Sequence, residues 1–214
     1  MQMSDRRGFL SLGAGAAGAL LLRPGPGAAQ AQPHDNPMPS ELRAAIEREG
    51  MAPVLGNPAG NITLTEFFDY NCPWCRKIMP VMLQLVAADP QLRLVFREWP
   101  IFGEDSYEAS TFSLAALKQG KYLAFHKALM AEKGRAGKAT ATRAAKAAGL
   151  DLDKLKADAG SADVLAHIDH SMALGDHLGL AGTPTFIAGH DGLFGGQSLK
   201  DLQKLVANAR AQLL

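Results

Sequence analysis

The chain has 214 residues, 47% of them hydrophobic and 20% charged, with a formal net charge of +1. That length and balance fit a folded globular chain with a sizeable core, and exclude a disordered polyelectrolyte and a basic nucleic-acid binder. Two cysteines, both in one short stretch, exclude a disulfide-stapled scaffold.

The first element is read as an address rather than as fold. Arg6 and Arg7 precede an apolar, Gly/Ala-rich run to Leu22, and Ala29-Gln30-Ala31 offers a small-x-small cleavage site. The run is too short and glycine-rich for a comfortable membrane span. Residues 1–31 are therefore expected to be a signal peptide of the twin-arginine (Tat) type, and the protein periplasmic. An uncleaved anchor is the alternative. Removing 1–31 takes away three arginines and one aspartate, leaving a net charge of about −1.

Residues 32–60 read as a linker and a short helix. Ser40 is placed as cap of a helix over Glu41–Glu49 that ends at Gly50, with Leu42, Ala45 and Ile46 on one side. The stripe is too short for an oligomerisation stalk, so a monomer is expected. Met51 to Leu55 suggests a short edge strand.

Ile62 to Phe68 reads as a strand with Ile62, Leu64, Glu66 and Phe68 on one face. Glu66 thus falls in an apolar row six residues before Cys72. Buried there, its carboxyl would have a raised pKa and could manage a proton. Exposure on an edge strand is the plain alternative.

The strand leads into Cys72-Pro73-Trp74-Cys75 at the start of a helix running to about Ala88. Pro73 suits the first helical position, which puts Cys72 at the N-cap, where the helix dipole favours thiolate. Cys75 lies one turn on, on the same side. The pattern points to a nucleophile with a resolving partner. A zinc site would need ligands that no second cysteine pair supplies. Pro80 should kink the helix. Leu92 to Trp99 follows as a strand, completing a right-handed βαβ unit.

From Glu104 to Leu178 strand signals vanish and four or five helical segments follow, broken near Gly120, Gly134–Gly137, Gly149 and Gly160. On the last of them Asp163, His167, His170 and His177 form a polar stripe, read as a solvated face rather than a metal site. Strand signals return at Gly182–Ile187, a His190-Asp191-Gly192 turn leads to Leu193-Phe194, and Ser198 caps a closing helix. A cis bond at Pro184 would fit its place at the head of a strand.

Taken together, Glu66 six residues before Cys72, the CPWC at a helix start, Pro80 and Gly182-Thr183-Pro184-Thr185 resemble the DsbA-like superfamily of thioredoxin-fold thiol–disulfide oxidoreductases. PVLGNP, EFFDYNCPWC and WPIFG are most similar to its suppressor-of-copper-sensitivity C-type and DsbG/DsbC-like branch. The resemblance spans about residues 52 to 214. It implies an α/β thioredoxin fold, in two parts at 61–103 and 179–214, with an all-helical insertion over 104–178. It implies catalytic Cys72 and Cys75, with Glu66 managing the proton on Cys75. Pro73, Trp74, Thr183 and a cis Pro184 would shape the substrate groove, with no metal or other cofactor. Its partners would be proteins with thiols or disulfides and a membrane redox partner that recycles it, with no nucleic acid. The Pro-Trp dipeptide departs from the Pro-His of DsbA. Residues 32–60 are too short for the dimerisation domain of DsbC-type isomerases, so isomerase activity is expected to be weak. The rival from another class is a periplasmic copper carrier holding Cu(I) on the two thiols.

Overall fold

In the computed structural model, residues 37–214 are described; the expected signal peptide and the start of the linker lie outside them. A five-stranded mixed sheet carries the fold, in the order β1-β3-β2-β4-β5. The strands are β1 (Val54–Gly56), β2 (Ile62–Phe68), β3 (Leu92–Glu98), β4 (Thr185–Ala188) and β5 (Asp191–Phe194). β2 and β3 run parallel and in register from Ile62↔Leu92 to Phe68↔Glu98. They are joined by helix α2 (Pro73–Ala88), which continues through Pro80. β1 and β4 pair antiparallel with β3 and β2, and β5 closes a hairpin on β4. This is a thioredoxin-like fold.

The alternation along β2 sorts its side chains between two cores. Ile62, Leu64 and Phe68 join Leu92, Leu94, Phe96 and Phe186 under α2 and α8 (Leu199–Leu213). Phe67 faces the other way, into a core with Trp99, Leu174, Ile187 and Ile46. β2 is a central strand buried along its length, so the edge-strand alternative for Glu66 does not hold.

Helix α1 spans Ser40–Glu47 and seals this second face with Leu42, Ala45 and Ile46. It starts one residue earlier than Ser40 as cap would require; Pro39 is the N-cap, and no side chain caps the helix. Its other end is closed by β3: Arg93 donates to the Glu47 carbonyl at 2.6 Å and Arg97 to that of Ala45 at 2.8 Å. β1 begins later than the Met51–Leu55 pattern suggests, because only Val54–Gly56 reaches the ladder on β3.

Between β3 and β4 lie α3 (Glu104–Lys118), α4 (Tyr122–Ala131), α5 (Lys138–Ala147), α6 (Leu152–Ala159) and α7 (Ala162–His177). α3 packs against the other four. The polar stripe on α7 is not a solvated face throughout. His167 is fully buried, with Nδ1 3.3 Å from Glu49 and Nε2 3.3 Å from Glu98, and His170 reaches Glu49 at 3.1 Å. Asp163 pairs instead with Lys118, and no cluster suited to a metal ion occurs among the described residues. α7 lies against β3, so its inner turns must face the sheet. The hairpin turn also differs: Asp191 and Gly192 belong to β5, and Gly189-His190 makes the turn. Ser198 caps α8 as expected, accepting from the Asp201 amide at 3.2 Å. Among the described residues no helix is long and apolar enough to cross a membrane.

Candidate active site

At the C-terminal end of β2 the chain turns through Asp69-Tyr70-Asn71 into Cys72, the N-cap of α2. Pro73 takes the first helical position, where an N–H would have no partner. The Cys72 sulfur accepts the Cys75 backbone N–H at 3.4 Å and is 3.2 Å from the Thr183 carbonyl. That carbonyl belongs to the Thr183–Pro184 peptide, which is cis. The chain thus brings Cys72, Cys75, Thr183 and Pro184 together, although the last two lie more than a hundred residues away in sequence.

The two thiols differ strongly in electrostatics. The Cys75 thiol hydrogen-bonds the Cys72 sulfur; with the Thr183 side chain and the Cys75 and Trp74 amides, it brings the Cys72 pKa down to about 6, against the cost of burial. Cys75 moves the other way: burial pushes its thiol far up, helped by the Cys72 contact and the Glu66 charge. Exposure does not separate them, since Cys72 and Cys75 are 2% and 1% exposed. Charge and hydrogen bonding, not exposure, distinguish the two thiols.

Glu66 lies beneath the pair, 3% exposed. Burial and the Cys72 charge raise its pKa to about 8, so it is a buried carboxyl poised near neutrality. Pro73 and Trp74 stand on the surface. The Trp74 indole rests on Gly196, where a Cβ would come within 2.5 Å of the ring, and Lys77 lies 4.7 Å from the ring centre. Phe194, 56% exposed, lies over Gly182, the residue before Thr183. Ile101 and Phe102, also exposed, follow β3 at the same end of the sheet.

What the residue patterns did not reveal is how the helices between β3 and β4 grip the loop. Asp69 accepts from the Ser106 hydroxyl at 2.7 Å and the Phe102 amide at 3.0 Å. Asn71 exchanges bonds with the Ala136 backbone at 2.7 and 2.9 Å and donates to Ser106. Arg76 donates to the carbonyls of Tyr70 and Glu132. Tyr70 reaches Ser113 and His126. The one sequence signal was His126 itself, four residues after Tyr122 and so on the apolar side of α4.

The sequence matches the DSBA-like thioredoxin domain over residues 63–207. A thioredoxin-like oxidoreductase from Silicibacter pomeroyi is similar at 48% identity and a TM-score of 0.76, over 78% of this chain and 97% of that one. The thiol-disulfide exchange protein alpha-DsbA2 of Wolbachia pipientis is 28% identical, with a TM-score of 0.73, over 78% and 91%. The catalytic domain of Proteus mirabilis ScsC is 26% identical, with a TM-score of 0.73, over 80% and 96%. Two curated relatives, Na(+)/H(+) antiporters NhaA 3 of Salinispora tropica and NhaA 1 of Salinispora arenicola, are 26% identical over 160 residues; the match takes in 74% of this chain but spans only 24% of their length. With the thiol pair set at the head of α2 on this sheet, the chain belongs to the DSBA-like thioredoxin domain family, and the domain is that of a thiol–disulfide oxidoreductase.

Proposed function

We propose that the protein exchanges a Cys72–Cys75 disulfide with the thiols of exported substrate proteins through a mixed disulfide. The observation that carries this reading is the Cys72 sulfur at the N-cap of α2, within 3.2 Å of the carbonyl before cis-Pro184. In the oxidising direction a substrate thiolate attacks Cys72 Sγ, the Cys72–Cys75 bond breaks, and the electron pair leaves on Cys75. Cys75 is a poor thiolate where it is buried, so it takes a proton, and Glu66 in its acid form supplies one. A second substrate thiolate then attacks the substrate sulfur of the mixed disulfide and releases Cys72 as a thiolate, a good leaving group with its pKa near 6. Two electrons have passed from substrate to protein, which a membrane redox partner takes up; in the reverse direction Cys75, giving its proton to Glu66, attacks Cys72 Sγ and resolves the mixed disulfide as the substrate thiolate leaves. The stabilised Cys72 thiolate favours the reduced protein and hence disulfide donation.

Trp74, Phe194, Ile101 and Phe102 leave an apolar rim at the thiol end, suited to an extended, unfolded polypeptide rather than a finished surface. Thr183, before cis-Pro184 and beside Cys72, would offer its backbone to the peptide. The twin arginines and the cleavage pattern support a mature protein in the periplasm, exported by the Tat route, with domain limits as read above. The test is trapping. Cys75→Ala should accumulate mixed disulfides through Cys72 when given an unfolded substrate that carries a disulfide, one substrate sulfur leaving as thiolate, and Cys72→Ala almost none. A protein that purifies with stoichiometric copper and traps no substrate would point to copper carriage instead.

A further inference from the structure

The thiol reading above leaves a buried set of polar groups unused. Tyr70 is fully buried two residues before Cys72. Its hydroxyl lies 2.6 Å from Ser113 Oγ and 2.8 Å from His126 Nδ1, and Ser113 donates to Glu98 Oε1 at 3.1 Å. We propose that Tyr70 is a positioning residue for Cys72, its hydroxyl locked by His126 and Ser113 so that helices outside the βαβ unit set the reactivity of the thiol. The inference rests on the thiol chemistry proposed above.

Counting hydrogens fixes the arrangement. The one hydrogen of Ser113 is committed to Glu98, so the Tyr70 O–H donates to Ser113. The Tyr70 oxygen then accepts, and His126 Nδ1 stands 2.8 Å away to donate, with the Tyr122 hydroxyl facing the same oxygen. His126 is therefore the Nδ1–H tautomer with Nε2 bare, in keeping with burial, which holds its pKa near 3 and the ring neutral. The ring has no room to turn, being stacked on Tyr122 at 5.3 Å and edge-on to Phe68 at 5.1 Å. At its other end Tyr70 offers its carbonyl to Arg76 Nε at 2.7 Å. The residue is thus held by both side chain and backbone, and Cys72 N–H is held in turn by the Asp69 carbonyl at 3.1 Å.

The position matters because the Cys75 N–H to Cys72 bond, 3.4 Å long, depends on where the loop holds the sulfur. A shift of a few tenths of an ångström in the loop would weaken the bonds that stabilise the thiolate. A merely space-filling tyrosine would tolerate the loss of its hydroxyl with no change at the sulfur.

The experiment measures the pH midpoint of Cys72 alkylation by iodoacetamide and the equilibrium with glutathione, with thermal melts to confirm folding. The full chain is compared with Tyr70→Phe, Ser113→Ala, His126→Leu and His126→Asn, whose amide can place an N–H where Nδ1–H stood. Tyr70→Phe and His126→Leu should raise the midpoint by about one unit, slowing alkylation at pH 6 about fivefold and moving the glutathione equilibrium up to about tenfold toward the disulfide. His126→Asn should stay within about twofold of wild type, and the Tyr70→Phe/His126→Leu pair should match Tyr70→Phe alone. A folded Tyr70→Phe with the wild-type midpoint and equilibrium overturns the proposal, and decides it even if His126→Leu fails to fold. If wild-type Cys72 itself titrates as an ordinary thiol, the thiolate reading under the proposed function fails, and this proposal falls with it.

Discussion

At the scale of single residues, the proposed chemistry falls to one buried carboxyl and two sulfurs, and the surroundings of each differ. Glu66 has the clearest consequence for pH. Its folded pKa of about 8 lies above the usual 4.5, so the folded protein binds this proton more tightly than the unfolded chain does. The contribution is fully favourable below about pH 4.5 and is lost as pH rises through about 8. At pH 7 the folded carboxyl must hold a proton that the unfolded chain has lost, at a cost of roughly 3 kcal/mol. Glu66→Gln should therefore melt higher than wild type at pH 7.5, with the difference vanishing near pH 4.5, while resolving mixed disulfides more slowly between pH 6 and 8. Denaturation at the two pH values and single-turnover resolution measure the two effects. An unchanged resolution rate would leave Glu66 a structural group, with water handling the proton.

Among the elements, α1 is held by more than its apolar stripe. Just beyond it, Glu49 forms an ion pair with Arg97, which is fully buried, and faces His167 and His170 on α7. Removing one partner of such a pair leaves an uncompensated charge in the core. Glu49→Gln should lower stability by about 3 kcal/mol, read by urea denaturation, whereas Glu41→Gln on the exposed side of α1 should change it by less than about 0.5 kcal/mol. The amphipathic stripe of α1 was plain in sequence, because local spacing encodes it. Its anchoring was not, since Glu49, Arg97 and His167 are distant in the chain and meet only in the folded state.

For the whole molecule, the apolar face of α1 is spent within its own domain, on Phe67, Trp99, Leu174 and Ile187. A helix so occupied has no stripe left for a stalk, so the mature protein should be a monomer with weak isomerase activity on scrambled substrates. Multi-angle light scattering checks the first and refolding of a scrambled substrate the second; a stable dimer or trimer that disappears on deleting residues 32–50 would contradict the assignment.

The sequence by itself determined the parts governed by short-range rules. β2 follows from alternation, α2 from Pro73 and the apolar repeat, and the thiol pair from a spacing of three on one helical turn. Gly182-Thr183-Pro184 stood out because a proline at the head of a strand is unusual. The tertiary structure alone decided which face of α7 is buried, that Cys72 is as enclosed as Cys75, and that Tyr70, Ser113, Glu98 and His126 form one hydrogen-bonded line. Periodicity tells which side of an element turns inward but not what it meets there. A buried polar residue looks the same in sequence as an exposed one until its partners, up to 56 residues away for Tyr70 and His126, are brought within 3 Å.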